Sequence, residues 1–155
     1  MYGPMGRPDM VYFKFAEMLR TGGTIKIYNM GDCQRDFTYI DDSVEGICRA
    51  MRKPLEDCGI GACYKVYNIG DSHPARLLDF VATLQKLLVE EWVLPEGHDF
   101  EAHHELVLMQ PGDVVVTHAD TTEFKQDFGH RSSTELEAGL GEFARWYARY
   151  RGIWD

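Results

Sequence analysis

The stretch from Asn29 to Glu45 sets a glycine, a lone arginine and a helix start within a few residues of one another. Arg35 is the residue there that could do chemistry. A planar guanidinium forks onto phosphate oxygens, and the N-terminus of a following helix adds unpaired backbone donors, so the pairing of the two is one way to build an anion site. The competing reading is that Arg35 simply pairs with Asp36 or Asp41, and the spacing alone favours that. Gly31 relieves the backbone where the chain must turn, and Phe37, Tyr39 and Ile40 read as an extended segment leading away from Arg35. Asp42 then has the position of an N-cap. With Glu45 it can close a capping box ahead of Val44, Ile47, Cys48 and Met51, which recur at helical spacing as an apolar stripe.

Other side chains that could hold ligands carry less. His98, His103 and His104 stand among Asp99, Glu101 and Glu105. Adjacent histidines rarely bind one ion and no rigid element is predicted to fix the third, so a solvated acidic loop accounts for them better than a metal site. Cys33, Cys48, Cys58 and Cys63 form no pair of C-x-x-C knuckles and read as free thiols. Cys48 belongs with the core, whereas Cys58 and Cys63 fall in a loop. No G-x-S-x-G elbow supports a serine hydrolase. The aromatics Phe143, Trp146, Tyr147 and Tyr150 lie at helical spacing and read as core rather than as a stacking platform.

A chain of 155 residues supports one compact domain, taken as 1–155. Its formal net charge of -9 argues against nucleic acid as a partner, since no basic stripe is available to replace phosphate counterions. No apolar run is long enough to cross a bilayer and no signal-like start is present, so no membrane association is expected and a cytoplasmic location follows by default.

The elements that must position Arg35 alternate between helix and short strand, which predicts an α/β fold with about five helices. After the loop 1–9, Asp9 caps a helix from Met10 to about Arg20 whose residues Val11, Phe15, Met18 and Leu19 share a face, ended by Gly22-Gly23. Thr24 to Tyr28 alternates as a strand. The helix that follows Arg35 stops at Lys53-Pro54, and a loop runs to Ala62. Val66, Tyr67 and Ile69 read as a strand buried on both faces in a parallel sheet, ended by Gly70. Ser72 with Pro74 starts a helix carrying Leu77, Val81, Leu84 and Leu88, to about Glu91. The segment 92–105 is expected to be a mobile excursion. Gln110 to Asp113 is a turn into a β-branched run, Val114 to Thr117. Asp120 with Glu123, and Ser132 with Glu135, make two further capping boxes. The first opens a short helix closed by Gly129, and the second the last helix, with Leu136, Leu140, Phe143, Tyr147 and Tyr150 on one face.

The order of motifs is itself a signature. Tyr2-Gly3-Pro4-Met5-Gly6-Arg7-Pro8-Asp9-Met10, Asn29-x-Gly31, Arg35-Asp36-Phe37-Thr38-Tyr39-Ile40-Asp41-Asp42, Tyr67-Asn68-Ile69-Gly70 and Met109-Gln110-Pro111-Gly112-Asp113-Val114 together resemble the extended short-chain dehydrogenase/reductase family, and within it the NAD-dependent UDP-glucuronate 4-epimerases. The resemblance spans nearly the whole chain but maps onto the carboxy-terminal, substrate-binding part of such an enzyme, without the amino-terminal Rossmann half. The family's glycine-rich dinucleotide turn is not found, and Tyr-x-x-x-Lys does not occur: Tyr12, Tyr64 and Tyr147 are followed at that spacing by Ala16, Asn68 and Arg151. NAD, the cofactor of the full-length family, is therefore not expected to be bound by this chain alone, and no catalytic residue is assigned.

The resemblance implies that Arg35 clamps a pyrophosphate, that Arg7 faces the sugar carboxylate, that the backbone of Ile25, Ile27 and Tyr28 lies along the uracil, and that Asp113 stands near the ribose. For Arg7 the alternative is a pair with Asp9, and for Asp113 a turn role alone. The family often carries a second phosphate-binding arginine near the Pro-Gly-Asp turn, where this chain has Met109 and Gln110. The expectation is a UDP-sugar-binding portion of a nucleotide-sugar 4-epimerase, catalytically incomplete alone, whose partner is either another copy or a missing amino-terminal half. The alternative is a non-catalytic interaction protein derived from an epimerase that associates with itself.

Overall fold

Three amphipathic helices and one short strand bury most of the apolar side chains, and everything else is arranged around that cluster. The computed structural model describes residues 1–53 and 64–153. The elements are α1 (Val11–Arg20), β1 (Ile25–Ile27), a 3₁₀ turn at Asn29–Gly31, β2 (Gln34–Arg35), α2 (Ile40–Arg52), β3 (Ala75–Arg76), α3 (Leu77–Glu90), β4 (His104–Leu106), α4 (Thr122–Phe128) and α5 (Leu136–Tyr150). The chain is α/β, with five helices and short strands among the described residues.

α3 packs along α5, so that Phe80, Leu84 and Leu88 meet Leu140, Phe143, Ala144 and Tyr147, all fully buried. α1 closes the cluster with Tyr12, Phe13, Ala16 and Leu19, and β1 adds Ile25 and Ile27. Helical spacing dictates this, since each helix offers apolar residues three and four apart on one side. The approach of α5 to the amino-terminal segment depends on Gly139. A methyl group there would come within 2.5 Å of the Tyr2 hydroxyl and 2.8 Å of the Tyr39 ring.

Among the described residues the strands form two pairs, β1 with β4 in parallel and β2 with β3 antiparallel. The parallel neighbour of β1 thus comes from the segment read as an excursion. That segment also sends Val93 and Leu94 into the core. β4 was hard to see because its own side chains are polar or exposed, as befits an edge strand paired on one side only.

Several local expectations fail for identifiable reasons. Residues 64–70 form no strand, and Tyr64 and Val66 are exposed rather than buried. With no strand beside them among the described residues, they run along α4 instead, where the Tyr67 ring packs on Phe124 and Phe128 and its hydroxyl donates to Asp127 at 2.6 Å. Val114–Thr117 contributes a single bridge, Val116 to Gln34, and its valines are exposed. Asp9 does not cap α1, being taken by Arg7. α2 starts at Ile40, two residues ahead of Asp42, whose carboxylate accepts the N–H groups of Ser133 and Thr134 instead. Glu45 pairs with Arg49, so no capping box forms there. α3 starts at Leu77, later than Ser72, and α5 at Leu136, with the Ser132 hydroxyl buried and without a hydrogen-bond partner among the described residues. Asp120 does bind the N–H of Thr122 at the start of α4, and Gly129 ends that helix in the left-handed region. The stripe Val44, Ile47 and Met51 faces outward: α2 buries Ser43 and Gly46, and Cys48 is only half-buried. Cys58, Cys63 and the loop to Ala62 lie outside the described residues.

The β4 segment docks through imidazoles. His98 stacks on His103 with ring centres 4.6 Å apart and contacts Gln85, itself buried; His103 in turn reaches the Gly23 carbonyl. Burial, then the neighbouring His103, hold the His98 pKa below its usual value, with Asp99 opposing. A histidine with a depressed folded pKa favours the neutral state, so its contribution is intact above the unfolded value and is lost as pH falls through about 6.5. Amide exchange of Ile25 and Val107, whose N–H groups bridge β1 and the β4 segment, is expected to quicken below that pH relative to α5 amides, and a His98→Gln variant should show a flatter dependence.

Candidate functional site

Arg35 sits on a strand two residues long that is held from both sides. β3 pairs with it antiparallel, Gln34 to Arg76 and Arg35 to Ala75. On the other edge Gln34 donates to the Val115 carbonyl at 2.9 Å and accepts from the Thr117 N–H at 3.1 Å. The guanidinium is aimed by two carbonyls, since its Nη1 donates to Gln34 O at 3.0 Å and Val115 O at 3.1 Å. No carboxylate pairs with it among the described residues, and neither Asp36 nor Asp41 does so. Asp36 is committed elsewhere: its carboxylate accepts the N–H groups of Asp71 (2.8 Å), Ser72 (3.1 Å) and Ala119 (2.9 Å). Among the described residues the Nε and Nη2 donors of Arg35 make no hydrogen bond.

What it faces is a cleft of about 560 Å³. One wall is α1, through Val11, Lys14, Phe15 and Met18, a single row at helical spacing. A second wall is β1 and the turn after it, through Lys26, Tyr28 and Asn29. Phe37, stacked on Phe80 at 4.2 Å, and Leu77 lie on the side of Arg35. Met109, Asp113 and Val114 close the cleft from the far loop. The lining is mostly apolar with a few polar groups converging on it, the usual constitution of a small-molecule site.

The turn at the cleft is strained. Asn29, Met30 and Gly31 have φ of 53°, 52° and 77° in succession, two of them non-glycine residues in the left-handed region. It is held by the Met30 N–H to Val107 O (2.9 Å), by the Asn29 side-chain amide to Asp32 O, and by Gly31 N–H to Tyr28 O (3.1 Å). Gly31 cannot be replaced without collision, as an added methyl would lie 2.7 Å from Leu78.

The residues expected at the site divide into three groups. Arg35, Tyr28 and Asp113 come together in the cleft. Ile25 and Ile27 do not line it with their side chains, which are fully buried in the core. Their backbone groups face β4, so by the alternation of a parallel ladder the N–H and C=O of Lys26 point to the open edge. Arg7 lines a neighbouring cavity of about 1220 Å³ instead, and is held by Asp9 at 3.0 and 2.7 Å with both side chains exposed. Asp9 borders the cleft and Arg7, two residues earlier, the larger space.

The larger cavity is lined by Tyr2, Gly3 and Tyr12, with Asp41 and Glu142 on its wall. Arg7 reaches this space in an exposed pair with Asp9, and the carboxyl-bearing Asp41 and Glu142 lie on the same lining. Lys14, Lys26, Val11 and Met18 line the cleft although none belongs to the motifs that mark the site in the sequence. Their signal was present: Lys26 alternates with two core isoleucines, and Val11, Lys14, Phe15 and Met18 form one helical row.

Comparison with known proteins agrees with the motif order. A model of the NAD-dependent epimerase/dehydratase family matches residues 1–70. Protein CapI of Staphylococcus aureus is 37% identical over 161 residues, 97% of this chain and 45% of its own length. UDP-glucuronate 4-epimerase 2 of Arabidopsis thaliana is 36% identical, covering 97% of this chain and 35% of that protein. The crystal structure of UDP-glucuronic acid 4-epimerase from Bacillus cereus with UDP-glucuronic acid and NAD superposes with a TM-score of 0.78 at 26% identity, over 96% of this chain and 43% of that one. The chain thus spans less than half the length of these relatives.

Proposed function

We propose that this chain, which resembles the NAD-dependent UDP-glucuronate 4-epimerases over part of their length, is their UDP-sugar-binding portion and does no hydride chemistry by itself. The observation that carries the reading is the state of Arg35: a guanidinium aimed by two carbonyls, free of any carboxylate among the described residues, and open to an apolar cleft. Its free donors grip the diphosphate. The open backbone edge at Lys26 and the Tyr28 side chain receive the planar base, and Asp113 stands at the ribose. A ligand so placed leaves the cleft past Asp9 and reaches the larger cavity at Arg7. There the Arg7–Asp9 pair, with both side chains exposed to water, is weak enough to exchange for a sugar carboxylate. Proton and hydride transfer would need residues supplied by another polypeptide or segment, since no Tyr-x-x-x-Lys pair occurs in the sequence.

Calorimetric titration of the purified chain with UDP-glucuronate, alongside a sugar-nucleotide turnover assay, tests the reading. Saturable binding without interconversion is expected, and turnover by the chain alone, or no binding, contradicts it.

One observation favours a second reading. Val44, Ile47 and Met51 form an exposed apolar row on α2, a face suited to another protein surface. In that reading the chain is a self-associating interaction protein. Sedimentation separates the two: a concentration-dependent dimer that ignores UDP-glucuronate supports the second, and a monomer that binds it supports the first.

A further inference from the structure

A nucleoside diphosphate brings more negative charge than one guanidinium balances, and it must approach a chain whose formal net charge is -9. The cleft answers this with cations beyond Arg35. Lys26 projects from β1 on the face opposite the buried Ile25 and Ile27, and Lys14 projects from α1 in the row with Val11 and Phe15. Both lysines line the same cleft as Arg35, and neither makes an ion pair or hydrogen bond among the described residues. Of the two carboxylates at the cleft, Asp9 is held by Arg7 and lies within the influence of Lys14, while Asp113 stands on the far loop.

We infer that Lys26, assisted by Lys14, is a specificity-determining residue of this cleft, supplying the additional positive charge that selects a diphosphate over an uncharged nucleoside. The inference rests on the UDP-sugar reading of the cleft and goes further by assigning the diphosphate contact to side chains that the motif order does not mark. The two groups divide the work by chemistry. Arg35, immobilised by Gln34 O and Val115 O, fixes the orientation of the anion through a planar fork. Lys26 is a point charge on a flexible four-carbon stem from a rigid strand, so it can follow the second phosphate without imposing geometry. Lys14 shares its field with Asp9 and therefore contributes less.

Titration of UDP, UDP-glucuronate and uridine into the wild type, Lys26→Gln, Lys14→Gln, Lys26→Arg and Arg35→Ala tests this. Lys26→Gln is expected to weaken UDP and UDP-glucuronate alike by about tenfold, to leave uridine unchanged, and to make the affinity for UDP less sensitive to added salt. Lys14→Gln should lose less, and Lys26→Arg should retain most of the affinity. Lys26 is exposed, so unchanged thermal midpoints are expected to accompany these effects. UDP affinity of Lys26→Gln within twofold of the wild type, with Arg35→Ala still weakening it by about thirtyfold or more, overturns the inference and leaves the reading of the cleft standing. A loss confined to UDP-glucuronate overturns it too, because the ammonium would then serve the sugar carboxylate. Failure of the wild type to bind UDP overturns the reading of the cleft and this inference together.

Discussion

Arg35→Ala is expected to weaken UDP-glucuronate binding by about thirtyfold or more while leaving the chain folded. The magnitude follows from the bonds at stake. Hydrogen bonds to a charged group are worth about 1.5–3 kcal/mol each, and every 1.4 kcal/mol is a tenfold change in affinity. Arg35 is half-buried and its guanidinium bonds only the carbonyls of Gln34 in β2 and Val115 in the far loop, so its removal takes little from the core. Arg35→Lys should recover only part of the loss, because an ammonium cannot hold two carbonyls and two phosphate oxygens in one plane. Calorimetry on the three proteins, with urea unfolding as the check on folding, decides the matter. Equal affinity in the alanine variant would remove Arg35 from the site.

The largest stability effect is expected one residue later. Asp36 gathers three N–H groups, from Asp71, Ser72 and Ala119, and its own N–H donates to the Thr117 hydroxyl at 3.0 Å. Three segments distant in sequence are thereby tied at one carboxylate. Ser72 is held there at φ 61°, and Gly70 lies so close that an added methyl would be 3.0 Å from the Asp36 oxygen. Asp36→Ala strands three donors, each costing about 1–3 kcal/mol where water cannot replace the acceptor, so a loss of about 3 kcal/mol or more is expected. Asp36→Asn keeps one acceptor oxygen and should fall between. The comparison with Arg35→Ala is informative because the residues are adjacent. A lowered urea midpoint belongs to Asp36, lost binding at unchanged midpoint to Arg35, and an Asp36→Ala protein as stable as the wild type would contradict the role given to that carboxylate.

Helical periodicity makes α3 and α5 legible, because they pack on each other and their apolar rows mark the shared surface, whereas the α1 row of Val11, Phe15, Met18 and Leu19 is split: Phe15 and Leu19 are buried, and Val11 and Met18 are exposed along the cleft. It misled for α2, where Val44, Ile47 and Met51 repeat as regularly yet face outward. Periodicity reports that a face is apolar, not what covers it. The strands were harder. A two-residue strand such as Gln34–Arg35 has no period to detect, and β4 carries almost no apolar signal because it is paired on one edge only. The same limit governed the site. Arg35 was found by its neighbours in sequence, but whether Asp36 was its partner depended on donors at positions 71, 72 and 119 that no local spacing encodes. The face each of Lys26 and Lys14 occupies is legible from its own spacing, but that the two faces share one cleft depends on how strand and helix pack, which no spacing encodes.

The most direct test is where the diphosphate lies. A crystal of the chain soaked with UDP is expected to show the two phosphates against the free Nε and Nη2 donors of Arg35, with the base along the open edge at Lys26 and Tyr28. UDP bound elsewhere, or no nucleotide beside that guanidinium at saturating concentration, would contradict the account.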